Sequence, residues 1–157
     1  KDRNIIRSKI EFYDIPLFER NKIKKGADFV TENGDMIPNK ELTIDPPKAL
    51  SYAFCTDTAF MEKTAGFVKE ADVLYHESTF LQADIKRARK TSHSTAQQAA
   101  KVALVANVRK LLLGHFSARY DDNSLFEKEA KIIFENVSVA KEGMRIIATQ
   151  NEIDIQQ

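Results

Sequence analysis

Short apolar runs that break off on a polar, ligand-capable side chain recur along this chain. Tyr52-Ala53-Phe54-Cys55 leads to Asp57, Val73-Leu74-Tyr75 to His76 and Glu77, and Leu111-Leu112-Leu113-Gly114 to His115. An α/β fold presents this arrangement at the carboxyl edge of its sheet, where rigid strands carry variable loops and ligand-binding groups collect. The pattern predicts strands over residues 50–55, 72–75 and 110–113, with a helix over 61–71 between the first two. The clearest helix starts at Ser94, because Ser94-Thr95-Ala96-Gln97 has capping-box spacing. Ala96, Ala99, Ala100, Ala103 and Leu104 then share one face, a small-residue stripe that lets a helix lie close against a sheet. A further helix is expected over 124–134, strands over 137–140 and 144–148, and a loose polar tail over 151–157.

Upstream the pattern is less regular. Residues 1–25 show no clear periodicity, and Pro16 argues against a continuous helix, so an arm or extended crossing is expected. Asn33-Gly34 supplies the positive φ angles of a two-residue hairpin turn within 28–38. Pro46-Pro47 precedes the alternating strand–helix region. The fold class is α/β, with helices packed on a largely parallel, mixed sheet extended by hairpins.

At 157 residues and 43% hydrophobic, the chain is expected to form a single domain with its own core. Its net charge of +1 gives no global case for a polyanionic partner. Two local basic clusters keep that question open: Lys22-Ile23-Lys24-Lys25 and Lys86-Arg87-Ala88-Arg89-Lys90 are either solvated faces or polyanion contacts. The single cysteine, Cys55, reads as core, forms no internal disulfide and fits a reducing, cytoplasmic setting. No apolar segment is long enough for a signal peptide or membrane span, so no membrane partner is expected. The chain opens on Lys1 rather than Met, which reads as the start of a fragment.

The candidate chemistry sits between residues 57 and 120. Asp57 is either a turn or cap residue, or a carboxylate ligand able to bridge two cations. His115 follows a glycine that permits close backbone approach, and is either a hydrogen-bonded structural imidazole or a ligand. One Asp and one His are too few for a stable zinc site, which takes about three or four protein ligands. Glu77 could hydrogen-bond one nitrogen of His93, fixing its tautomer and favouring its protonated form, which would suit it to general-acid work on a phosphate ester. The bland alternatives are a surface carboxylate and a residue before a helix cap. Ser94 and Thr95, at a helix N-terminus, would suit a phosphate. Arg119 offers a bidentate donor, or a structural ion pair.

Four segments together resemble ribonuclease Z, the tRNA 3′-processing endonuclease of the metallo-β-lactamase superfamily. They are Phe54-Cys55-Thr56-Asp57-Thr58, His76-Glu77-Ser78-Thr79-Phe80, the run opening His93-Ser94-Thr95, and Gly114-His115-Phe116-Ser117-Ala118-Arg119-Tyr120. The second is similar to the family's His-Glu-Ala-Thr motif, with Ser78 in place of Ala, and the third to its His-Ser-Thr motif. The resemblance implies Asp57 and His115 as metal ligands, and Glu77 with His93 as the catalytic pair near the scissile phosphate. It also implies two zinc ions per complete site, and metal-hydroxide attack that leaves a 3′-hydroxyl on the tRNA. Precursor tRNA is the implied substrate and a homodimer the implied full-length assembly. His76 is implied as structural, and the basic run Lys86, Arg87, Arg89 and Lys90 as the candidate RNA contact. The family's principal motif, His-x-His-x-Asp-His, does not occur in these 157 residues. The chain therefore resembles the C-terminal half alone, residues 1–157 forming one half-domain of a four-layer αββα sandwich, with an incomplete zinc site and no activity by itself. Two alternatives are a phosphodiesterase of the same superfamily with a small substrate, and a non-catalytic RNA-binding or interaction domain.

Overall fold

In a computed structural model, which describes residues 1–156, the chain divides into two compact units rather than one. The first, Lys1–Lys48, is not an extended arm. Strand β1 (Asn4–Ile5) is followed by helices α1 (Arg7–Phe12) and α2 (Leu17–Lys24), which Pro16 separates by standing at the N-cap of α2. Pro is well placed there because a helix's first turn has no internal partner for its N–H. Strands β2 (Phe29–Val30) and β3 (Met36–Ile37) pair antiparallel, helix α3 (Asn39–Leu42) follows, and β4 (Thr43–Ile44) returns to β1. Ile15, Ile23, Phe29 and Leu42 form the small core, so the Lys22–Lys25 run is a solvated helix end wrapped around one buried isoleucine. Asn33-Gly34 does mark the hairpin, but not as a two-residue turn. The Thr31 N–H bonds the Asp35 carbonyl and the Gly34 N–H the Thr31 carbonyl, and of this pair only Gly34 has a positive φ. This is the longer connection, a turn closed by a left-handed glycine.

The second unit begins at Ala49. Its centre is a four-stranded, all-parallel sheet in the order β5 (Tyr52–Cys55), β6 (Val73–Glu77), β7 (Lys110–Gly114), β8 (Val137–Val139). Between the strands run α4 (Thr64–Phe67), α5 (Ile85–Lys90), α6 (Ala96–Ala106) and α7 (Ser124–Lys131). Leu74, Leu111, Leu113 and Val137 on one sheet face pack with the buried alanines of α6 and with Phe126 of α7. Alanine at positions 96, 99, 100, 103 and 106 leaves no side chain long enough to hold α6 off the sheet. On the opposite face Tyr52 and Phe54 are exposed, and Phe54 stacks on Tyr75 at 4.7 Å.

Three expectations are corrected in this unit. The helix expected over 61–71 is a single turn, because Glu70 adopts φ +56° and gives its N–H to the Ala106 carbonyl, turning the chain back into β6. The capping box of α6 lies one residue later than expected: Thr95 caps the Gln98 N–H at 3.2 Å and Gln98 reaches back to the Thr95 N–H at 3.0 Å. Leu104 accordingly points outward, 54% exposed, and Val102 and Ala106 join the buried face. The tail is not loose through 156, since β10 (Ile153–Gln156) pairs antiparallel with β9 (Arg145–Ala148) in a separate ribbon; residue 157 lies outside the described residues.

Candidate metal and phosphate site

Parallel pairing in register places the ends of three strands side by side. Cys55 pairs with His76, His76 with Leu113, and Glu77 with Gly114, so Asp57, Glu77 and His115 all fall at the carboxyl edge of β5, β6 and β7. His93 arrives from the turn between α5 and α6. Its N–H bonds the Ala88 carbonyl at 2.9 Å, and a one-residue bridge between Phe80 and Thr95 holds the turn against the chain leaving β6. Asp57, Ser92 and His115 have positive φ angles of 47°, 60° and 58°. Such backbone is costly for residues with a Cβ and gathers where a site needs a side chain aimed off the regular path. Gly114 serves the same end, because a Cβ there would lie 2.1 Å from the Tyr75 hydroxyl oxygen.

The residues converge as follows. His115 Nε2 lies 3.2 Å from Asp57 Oδ1, and the His93 and His115 rings are 5.4 Å apart. One ligand atom each from Asp57, His93 and His115 lies within 4.8 Å of the others, so these three can hold a metal ion. For tetrahedral ligands about 2.0–2.1 Å from zinc, donor atoms stand roughly 3.3 Å apart, close to the Asp57–His115 spacing. The donor set fits a divalent cation of borderline softness.

Glu77 is the hub of the site and is fully buried. Oε1 accepts from the Thr58 N–H at 2.8 Å and from His93 Nδ1 at 2.8 Å. Oε2 accepts from the Thr79 hydroxyl at 2.7 Å and from the N–H groups of Ser94 at 3.1 Å and Thr79 at 3.2 Å. Burial pushes the Glu77 carboxyl up, but the bonds from Thr79, His93 and Ser94 outweigh it and hold the group below the usual range. His76, equally buried, uses Nδ1 on the Glu77 carbonyl at 2.7 Å; burial pushes its imidazole below the ordinary value, which suits a neutral structural residue.

Ser94 and Thr95 do not present their hydroxyls to the open site. Both are fully buried and committed internally: the Ser94 hydroxyl donates to the Thr58 carbonyl at 2.7 Å, and the Thr95 hydroxyl to Gln82 Oε1 at 2.8 Å. They anchor the turn that carries His93. Arg119 is exposed, its guanidinium 5.5 Å over the Phe80 ring, with Nε donating to Ser117 Oγ at 3.0 Å. Phe80 lies 6.2 Å from the His93 ring, so Arg119 stands at the rim of the site. Lys86, Arg87, Arg89 and Lys90 are exposed on α5, whose end leads into the His93 turn. Thr79 and Thr58 are site residues that sequence reasoning missed. For Thr79 a signal was present: a hydroxyl residue two positions after a carboxylate readily bonds it locally. The Thr58 contribution is a backbone N–H and leaves no mark in the sequence.

A scan against protein-family profiles finds no match. Curated relatives are clear. The chain is 45% identical over 148 residues to ribonuclease Z of Bacteroides fragilis, covering 93% of this chain and 48% of that protein. It is 46% identical over 146 residues to ribonuclease Z of Bacteroides thetaiotaomicron, covering 93% and 46%. The chain thus spans about half the length of the curated relatives it matches. Among solved structures it resembles the metallo-β-lactamase fold protein YhfI of Bacillus subtilis, with TM-score 0.55 and 26% identity over 59% of this chain and 38% of that one. No helix among the described residues is long and apolar enough to cross a membrane. Nearly the whole of this chain is therefore homologous to ribonuclease Z of the metallo-β-lactamase superfamily, of whose length it spans about half.

Proposed function

We propose that this chain is the C-terminal part of a zinc-dependent endoribonuclease that removes 3′ trailers from precursor tRNA in the cytoplasm, working as a homodimer when full length. The observation that carries the reading is the convergence of Asp57, His93 and His115 beside a buried carboxylate that holds His93 by Nδ1. Homology to ribonuclease Z supports the reaction class and the substrate in this reading.

Asp57 and His115 are the residues that would hold zinc, which when bound supplies Lewis-acid polarisation of water and of a phosphoryl oxygen. The rest falls to the chain's own groups. With Nδ1 on Glu77, His93 keeps Nε2 to donate a proton to the departing 3′-oxygen of the tRNA, and the buried carboxylate stabilises positive charge on its ring. Water adds to the phosphorus as the bond to the 3′-oxygen breaks, which leaves a 3′-hydroxyl on the tRNA and a 5′-phosphate on the trailer. Arg119 at the rim and the exposed cations Lys86, Arg87 and Arg89 would contact the phosphate backbone. Asp57 and His115 alone fall short of the ligands that two zinc ions need, so this piece alone should cleave nothing.

Two assays test the reading. Mixing this chain with a separately made N-terminal half and zinc should restore cleavage of a 3′-extended precursor tRNA, and Asp57→Ala should abolish it. In a full-length enzyme, His93→Ala should slow cleavage by about 10²–10⁴-fold with zinc content unchanged. Loss of zinc in that variant would make His93 a ligand instead of an acid. Association of the halves with bound zinc but no cleavage would reject precursor tRNA as the substrate.

A further inference from the structure

The hydrogen-bond chain behind His115 resolves its proton. Thr79 Oγ1 lies 2.7 Å from Glu77 Oε2 and 2.9 Å from His115 Nδ1. Five donors converge on Glu77, four of them N–H groups, so neither carboxylate oxygen has room for a proton of its own. The short Thr79–Glu77 contact then requires the hydroxyl to donate to the carboxylate. A hydroxyl has one hydrogen, so towards His115 it acts only as acceptor, and Nδ1 must carry the proton. Nε2 of the neutral ring is left bare at 3.2 Å from Asp57 Oδ1. Two acceptor atoms facing each other at that distance repel, and in the absence of a cation the Nδ1 bond to Thr79 must hold the ring against that repulsion.

We propose that Thr79 is a positioning residue: by donating to Glu77 and accepting from His115 Nδ1, its hydroxyl fixes His115 in the tautomer that presents a bare Nε2 to Asp57. One buried carboxylate therefore orients both site histidines, His93 directly and His115 through Thr79. Metal-bound imidazoles are commonly set by a partner on the other ring nitrogen, and here a single group serves two of them. The tautomer claim stands on the hydrogen-bond geometry alone; its consequence for a metal rests on the proposed function.

The test is long-range ¹H–¹⁵N correlation spectroscopy on the ¹⁵N-histidine-labelled, metal-free chain at about pH 8, above the ordinary imidazole range. In the wild type all three histidines should show a protonated Nδ1, since His76 and His93 also donate from that atom. The solution preference of a free histidine side chain is the opposite tautomer. In Thr79→Val, His115 alone should move to the Nε2-protonated form, with His76 and His93 as internal references, and Thr79→Ser should restore it. A wild-type His115 protonated at Nε2 overturns the proposal, and this reading needs no variant to fold. So does an unchanged His115 in Thr79→Val. Zinc titration of the same samples separates the two claims. A wild type that binds zinc should lose about 10–100-fold in affinity in Thr79→Val. A wild type that shows the Nδ1–H signature but takes no zinc still supports the tautomer role of Thr79, because Asp57 and His115 alone are too few ligands to hold zinc.

Discussion

Replacing Glu77 by glutamine is the sharpest perturbation the site allows, because it changes one atom and one charge in a fully buried hub. Glutamine must turn its NH₂ towards one of two donor sets. Towards the Oε2 set it meets two N–H groups, from Thr79 and Ser94, that cannot rearrange. Towards the Oε1 set it meets His93 Nδ1, which can shift its proton to Nε2, and the Thr58 N–H, which cannot. The second arrangement is cheaper, yet strands one buried N–H at about 1–3 kcal/mol and turns three charge-assisted bonds into neutral ones at roughly 1 kcal/mol each. Relief of the carboxylate's own burial offsets part of this. The net loss should be about 3–5 kcal/mol, the range found when one partner of a buried ionic network is removed. With no tryptophan in the chain, urea unfolding followed by far-UV circular dichroism is the assay. The same variant should convert His93, but not His76, to the Nε2-protonated tautomer. A loss below about 1 kcal/mol with His93 unchanged would refute the hub.

Two further outcomes are expected. Gly114→Ala should destabilise by about 1–3 kcal/mol, because the new methyl group meets the Tyr75 hydroxyl at 2.1 Å; urea midpoints in a Tyr75→Ala background should recover most of it, and equal losses in both backgrounds would exclude this clash. Asp72 is held below the usual carboxylate range by its bond to Arg109 and by Ser51, with burial working against them. Its stabilisation is present above the unfolded-state value of about 3.9 and is lost as pH falls through the lower folded value, so Asp72→Asn should flatten the acid limb of stability against pH. A variant limb parallel to the wild type's would contradict that assignment.

Much of the sheet was legible in the sequence for a local reason. A parallel strand buried on its inner face reads as an apolar run, and its loop begins where that run breaks, so β5, β6 and β7 and the edge bearing Asp57, Glu77 and His115 followed from pattern alone. The Glu77–His93 hydrogen bond was also open to inference from the residues, a carboxylate and an imidazole that each stand at a segment boundary. What failed were features decided at a distance. Ser94 looked like the cap of α6, but its N–H and hydroxyl are taken by Glu77 and the Thr58 carbonyl, which passes the cap to Thr95. The polar end of the chain pairs as a strand because β9 offers an edge, and residues 1–25 wind into helices around Ile15 and Ile23 in a unit of their own. Residue identity and spacing determined which side chains could serve the site. Only tertiary structure decided where the proton on His115 sits, because a hydroxyl's single hydrogen is allotted by the groups on both sides of it, and Glu77 and His115 are 38 positions apart in the chain.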